Sequence, residues 1–157
     1  MFHALIALLL LLPLSPKSSE AFVFRKIVYS SPIEGLIHWQ GKPLVNVKVT
    51  RLLRSGGFSN DEYQDEVQTD AQGRFKFETV AERRLFRPDL LSANPVVSQS
   101  IKVTYEGVNY LIWYFRKPDY ELGTESRAGT LRLDCDLSIS EAGGESLIVR
   151  CKHNGAL

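Results

Sequence analysis

The fold is decided by Gly35-Leu36-Ile37-His38-Trp39-Gln40-Gly41-Lys42-Pro43-Leu44-Val45-Asn46-Val47-Lys48-Val49-Thr50-Arg51. After a polar loop it continues as Val67-Gln68-Thr69-Asp70-Ala71-Gln72-Gly73-Arg74-Phe75-Lys76-Phe77. Two strand pairs are written there. In the first turn Gly41 supplies φ > 0 without steric cost, and Pro43 fixes its own φ and ends ladder pairing. Val45, Val47 and Val49 alternate with Asn46, Lys48 and Thr50, which predicts a strand over 44–53 with one buried face. In the second turn Asp70 closes an Asx-type turn and Gly73 takes the left-handed position. Phe75 and Phe77 then face one way, Arg74 and Lys76 the other.

Working outward, strands are expected near 22–31, 33–39, 44–53, 65–69, 73–79, 99–105, 109–116, 130–138 and 146–151. The reading is all-β: a seven- to nine-stranded antiparallel β-sandwich, with one short helical or irregular insertion near 81–95. The connection over 117–129 carries Pro118, Gly123 and Gly129 and reads as an exposed loop.

The segments Gly41 to Val49 and Thr69 to Phe77 resemble the carboxypeptidase regulatory-like, transthyretin-like (Ig-like) sandwich domains. Such domains are usually accessory or binding modules, so the resemblance implies binding rather than catalysis. Tyr110 to Cys151 resembles a family of small secreted bacterial proteins with a Cys135-Asp136-Leu137 strand. Transthyretin-like hydrolases end in a Tyr-Arg-Gly-Ser tail, whereas this chain reads His153-Asn154-Gly155-Ala156-Leu157. The resemblance therefore carries no active site.

Ala4 to Leu14 is almost purely aliphatic and too short for a spanning helix, which needs about 20 residues. Ser19-Glu20-Ala21 offers small residues to a signal peptidase, so residues 1–21 are expected to be a signal peptide and 22–157 a single β-sandwich domain. Met1-Phe2-His3 lacks the usual Lys or Arg, which keeps a retained anchor as the alternative. The expected location is the periplasm, with secretion or a leader-anchored form as alternatives, and no membrane contact after leader cleavage.

The 19 basic and 18 acidic residues leave a net charge of +1. This argues against nucleic acid as a partner. Arg83, Arg84 and Arg87 read as a solvated edge. The two cysteines suit a bridge in an exported chain. Leu131, Leu133, Cys135, Leu137 and Ile139 alternate, as do Leu147, Val149 and Cys151. A hairpin with Ile139 opposite Leu147 and Leu137 opposite Val149 sets Cys135 opposite Cys151. Closing that loop is worth about 3 kcal/mol in the chain-entropy model.

Ser100 to Arg116 reads as a hairpin turning at Glu106-Gly107-Val108-Asn109. Its second arm, Tyr110 to Phe115, is apolar on both faces. Either 81–95, with Leu85, Phe86, Leu90 and Leu91, folds over it, or Trp113 and Phe115 anchor a partner. Asn60 to Glu66 reads as an acidic loop: solvated, too irregular for calcium, or aimed at a basic partner. The candidate partner-binding residues are thus Asp61, Glu62, Tyr63, Asp65, Trp113 and Phe115.

No zinc spacing, nucleophile elbow or phosphate loop occurs. No catalytic residue, metal or cofactor is expected. His38, beside Trp39, reads as structural. Two classes of function stand: a protein-binding module, most concretely a periplasmic immunity protein that neutralises a secreted toxin, or an envelope accessory module that binds glycan or a surface assembly. A hydrolase would need an acid–acid or His–acid pair in a cleft.

Overall fold

A computed structural model describes residues 24–56, 58, 60–86 and 96–155. The described residues form no helix and thirteen strands: β1 Arg25–Ser30, β2 Ile33–Trp39, β3 Lys42–Pro43, β4 Lys48–Arg54, β5 Glu62–Gln68, β6 Arg74–Phe77, β7 Val80–Arg84, β8 Val97–Tyr105, β9 Val108–Lys117, β10 Leu131–Asp136, β11 Ser140–Gly143, β12 Ser146–Val149 and β13 Lys152–His153. The strand count exceeds the expected seven to nine because β3, β7, β11 and β13 are short extra pieces.

One sheet has six strands in the order β11-β12-β9-β8-β4-β5. A second has five, β13-β10-β2-β3 with β6 also on β2, and β1 and β7 form a separate ribbon. Most pairings are antiparallel. Two are parallel, β10 with β2 and β12 with β9, so the sheets are mixed. The smaller of two core clusters joins Ile27 and Tyr29 of β1 to Leu53, Val97 and Tyr120. The larger draws Ile33, Ile37, Phe75 and Leu133 from the five-stranded sheet and Val49, Ile101, Val103 and Ile112 from the six-stranded one. This is the sandwich layering that one apolar face per sheet demands.

Both turns in the deciding stretch form, but each leads somewhere other than expected. Trp39 pairs with Lys42 across Gln40 and Gly41, whose φ values are 48° and 77°. That is a two-residue type I′ hairpin. Its return arm is only β3. Asn46 takes φ 56°, and the chain leaves for the six-stranded sheet. The expected continuous strand over 44–53 is therefore interrupted: Val45 is exposed while Val47 and Val49 are buried. The second turn joins β5 to β6, which lie in different sheets, so it is a crossing and not a hairpin. Asp70 Oδ1 accepts the N–H groups of Gln72 and Arg74 at 2.9 and 2.8 Å. Gly73 has φ 74°, and a Cβ there would stand 2.5 Å from the Ile37 carbonyl oxygen.

The arm that reads apolar on both faces is explained by a bulge. Ile101 pairs with Trp113 and Lys102 with Leu111, leaving Ile112 as the extra residue of β9. A bulge resets the alternation. Tyr110, Ile112 and Trp113 are all buried, Phe115 is half-buried, and Tyr114 points out. The expected cover from 81–95 is not seen among the described residues: Val80–Arg84 is a strand on β1, and Leu85 and Phe86 are exposed. Leu90 and Leu91 lie outside the described residues.

The Cys135–Cys151 disulfide is present, with Cα atoms 4.4 Å apart. Its register continues the β10–β13 pairs Leu133 with His153 and Asp134 with Lys152. The surrounding hairpin differs from expectation. β11 and β12 pair Ser140 with Val149 and Ala142 with Leu147, and Ile139 is exposed in the preceding turn. The bond thus ties β10 of one sheet to the point where the chain leaves β12 of the other.

Candidate functional site

The expected contact residues scatter. Trp113 is only 7% exposed and lies in the core cluster, and Phe115 packs against that cluster. The His153 ring stands 5.0 Å from the Trp113 ring, edge to face. Neither aromatic is an exposed anchor, because the bulge turns both inward. Residues 62–68, expected in part as an acidic loop, are strand β5. Tyr63 stacks on Phe58. Asp65 holds Arg51 through two bonds, Nε to Oδ1 at 2.9 Å and the second amino group to Oδ2 at 2.6 Å. Asp61 and Glu62 remain exposed, with Glu62 paired to Arg54 at 3.0 Å. No group of three or more metal-ligating side chains gathers among the described residues.

Two buried ionic clusters form instead. Arg51 occupies an inward slot of β4, gives its remaining donors to Ser30 Oγ (3.1 Å) and the Glu78 carbonyl (2.8 Å), and lies over the Phe77 ring. Lys117, at the inward end of β9, meets Glu125 at 3.0 Å, with neither side chain reached by solvent. Glu125 also accepts from the Ser31 N–H (3.0 Å), the Ser31 hydroxyl (2.5 Å) and Gln99 Nε2 (2.6 Å). Burial pushes this carboxyl up, but those donors and the Lys117 ammonium outweigh burial and hold it below the ordinary carboxylate range. Every charge here is answered by a neighbour, so both clusters fasten the structure, pinning β1 and the 118–130 connection to the sheets.

A different set of side chains converges at one end of the sandwich. Trp39 ends β2 and Tyr105 ends β8, so each sheet supplies one ring, 6.0 Å apart, over the open end of the core. Two tight turns flank them, Gln40–Gly41 and Glu106–Gly107, both with positive φ throughout. Trp39 is 36% exposed, and Val45 and Val108 are exposed nearby in sequence. Burial, and then the neighbouring Glu106 carboxylate as acceptor, push the Tyr105 hydroxyl up. This ring therefore stays a neutral donor through the ordinary pH range. The arrangement offers two aromatic faces, a phenol and the Gln40 amide, which suits contact with another molecule.

On the outer face at the same end, His38 Nε2 lies 2.8 Å from Asp134 Oδ1, and Nδ1 lies 3.4 Å from Asp136 Oδ2 without hydrogen-bond geometry. Asp136 accepts from the Ser138 hydroxyl (2.7 Å) and from the N–H groups of Gln40 and Ser138 (both 3.0 Å). The Ser138 hydroxyl bond, with help from these N–H groups and His38, holds its carboxyl below the usual range. A His–acid pair thus exists. It is partly open: the Asp134 side chain is 50% exposed, the His38 side chain 19%, and His38 Nδ1 is buried without a hydrogen-bond partner. A groove of about 660 Å³ whose lining includes Glu34, Leu36, Arg74 and Arg132 of the five-stranded sheet and Val67 and Gln68 of β5 does not include His38.

A family model described as a domain of unknown function (DUF6795) matches residues 33–140. The chain belongs to this family. No curated protein and no solved structure matches the chain. The DUF6795 span takes in Trp39, Tyr105, Arg51, Asp65, Lys117 and Glu125. It leaves out β1, β12, β13 and Cys151. The DUF6795 segment here therefore leans on neighbours outside the matched span: Ser30 and Ser31 complete the two ionic clusters, and Cys151 completes the bridge.

Of the charged residues in the two clusters, Asp65 alone is among the expected contact residues, and it faces Arg51. Arg51 and Gln99 stand in inward slots between apolar residues, which is the signal of a buried polar group needing a partner. Glu125 lies in a loop with no periodicity to expose it. Trp39 was visible only as the neighbour of His38.

Proposed function

We propose that this protein is an exported, non-catalytic binding module that acts by occupying another protein. Its most concrete form is a periplasmic immunity protein that neutralises a secreted toxin. The observation that carries the reading is the Trp39–Tyr105 pair, two rings held half-open at one end of a disulfide-tied sandwich. Rigid aromatic anchors on a preorganised scaffold are what tight protein contacts use. The buried charges serve the fold, which leaves the end surface as the part offered outward. Export is supported by the disulfide and by the aliphatic Ala4–Leu14 stretch, and no described helix is long and apolar enough to cross a membrane. The resemblance to transthyretin-like accessory domains fits the same reading.

The test is protection. Cells exporting the chain should survive periplasmic delivery of the toxin encoded beside its gene, and Trp39→Ala should abolish protection while leaving the melting temperature close to wild type. Survival unaffected by Trp39→Ala counts against the end surface. Absence of any protection counts against the immunity role. A second reading, glycan binding, is favoured by one observation: the half-open Trp39 ring is followed in sequence by the exposed Gln40, and an exposed aromatic with an amide residue next to it suits a sugar platform. Saturable binding of envelope polysaccharide lost in Trp39→Ala would select it.

A further inference from the structure

The β1–β7 ribbon ends in an apolar tip with cations behind it. Phe24 is 58% exposed and Phe86 67%, and Leu85 beside it is also exposed. In the register Arg25 pairs with Arg84 and Lys26 with Arg83, so Phe24 and Leu85 occupy the next position outward on the two strands. Arg25, Lys26 and Arg83 are exposed, and no carboxylate pairs with them among the described residues. Arg84 pairs with Glu82 at 2.6 Å. The whole chain is nearly neutral, so this concentration of positive charge is local.

The nearby carboxylates are turned to other work. Glu82 takes the Tyr29 hydroxyl as well as Arg84. Asp119 Oδ1 accepts the Glu121 N–H (2.9 Å) and the Thr124 hydroxyl (2.6 Å) within its own loop. Asp119 and Glu121 line the same groove as Arg25 and Lys26, and Glu82 lines the neighbouring one with Lys26 and Arg83, so these three acids are the ones that oppose the cations.

We infer that the ribbon tip docks on an anionic phospholipid surface, with Phe24, Leu85 and Phe86 entering the headgroup boundary and Arg25, Lys26 and Arg83 facing the lipid phosphates. Two features of the molecule select this occupant. Exposed Phe and Leu backed by Lys and Arg are the combination that interfacial anchors use. In the alternative form that keeps Ala4–Leu14 as an anchor, nine residues lie between Leu14 and Phe24, about 35 Å at full extension, so that anchor would hold the ribbon within reach of the headgroups; in the cleaved form the tip alone carries the contact. The ribbon lies away from Trp39, so the inference goes beyond the binding role above and stands or falls separately from it. It departs from the expectation that no membrane contact follows leader removal.

The experiment is vesicle co-sedimentation of residues 22–157, which include every described strand. Vesicles of phosphatidylcholine alone are compared with vesicles containing phosphatidylglycerol. The protein should sediment with the anionic vesicles, and less so as salt rises. Lys26→Glu with Arg83→Glu should weaken binding about tenfold or more, and so should Phe24→Ser with Phe86→Ser. All four positions are exposed, so circular dichroism and the melting temperature should not change. Arg74→Glu, on the outer face of the other sheet, should leave binding intact. Failure to sediment at low salt, equal loss in Arg74→Glu, or a dimer that is abolished by Phe86→Ser would overturn the inference.

Discussion

Lys117 and Glu125 meet 3.0 Å apart in a pocket that water does not reach. Removing one member strands the other, at a cost of about 3–5 kcal/mol. Glu125→Leu should therefore lower stability by that amount in urea denaturation. Adding Lys117→Met should recover part of the loss, since the ammonium is no longer stranded. Gln99 and Ser31 would still lack their acceptor, so recovery should be incomplete.

The same carboxyl sets an acid limit. Glu125 titrates below its ordinary value when folded. Between that position and the unfolded value near 4.3, the unfolded chain binds more protons than the native one. The stability it contributes is present above about pH 4.3 and is lost as pH falls through the folded pKa. Urea midpoints should drop between pH 7 and pH 3, and Glu125→Gln should flatten the drop. An equally steep fall in the variant would mean that other carboxylates set the limit.

The acids of the 61–66 segment should separate sharply. Asp65→Ala leaves Arg51 buried without its partner and should cost about 3 kcal/mol. Glu62→Ala removes an exposed pair with Arg54 and should stay within about 0.5 kcal/mol. Thermal melts of the two variants decide this directly.

The two tryptophans should differ in kind. Trp113→Ala opens the core and should cost about 3–5 kcal/mol. Trp39→Ala should cost less and act chiefly on partner capture, measured by titration calorimetry once a partner is in hand. Equal destabilisation by both would place Trp39 in the core.

Replacing both cysteines by serine should remove about 3 kcal/mol. The loss should match that produced by reductant on the wild-type protein. Because Cys135 lies in β10 and Cys151 where the chain changes sheets, hydrogen exchange in the variant should rise in β12 and β13 before β8.

Much of this was legible from residue order, and the rest was not, for a physical reason. The period of two in β6 and β8 and the Gly and Asp turns reported which faces are buried and where the chain reverses. They carry no information about which sheet edge a strand joins, since either sheet accepts the same alternating pattern. Hence the 40–43 and 70–73 turns were expected to close full hairpins, whereas the chain crosses between layers after each. The cysteine pairing succeeded because its register happens to continue that of β10 with β13, although the hairpin drawn around it does not exist. Trp113 misled because one inserted residue, Ile112, reverses the parity of everything after it. Arg51 and Gln99 were visible as polar residues in apolar slots. Glu125 was not, because nothing local marks a loop carboxylate that will be swallowed.

The parallel seam of β2 with β10 sets Ile33 beside Leu131. Such a contact joins distant parts of the chain, so its formation is slow compared with local hairpins. The five-stranded layer stays incomplete until β10 arrives, and Cys135 arrives with it. Cys151 follows sixteen residues later, and the chain holds no third cysteine. With two thiols in the sequence, an oxidant has no wrong internal partner to give either one. Their sixteen-residue separation makes a short loop, so the bridge can close before the slow seam forms, fixing Cys151 against Cys135 while leaving open which neighbour β10 will join.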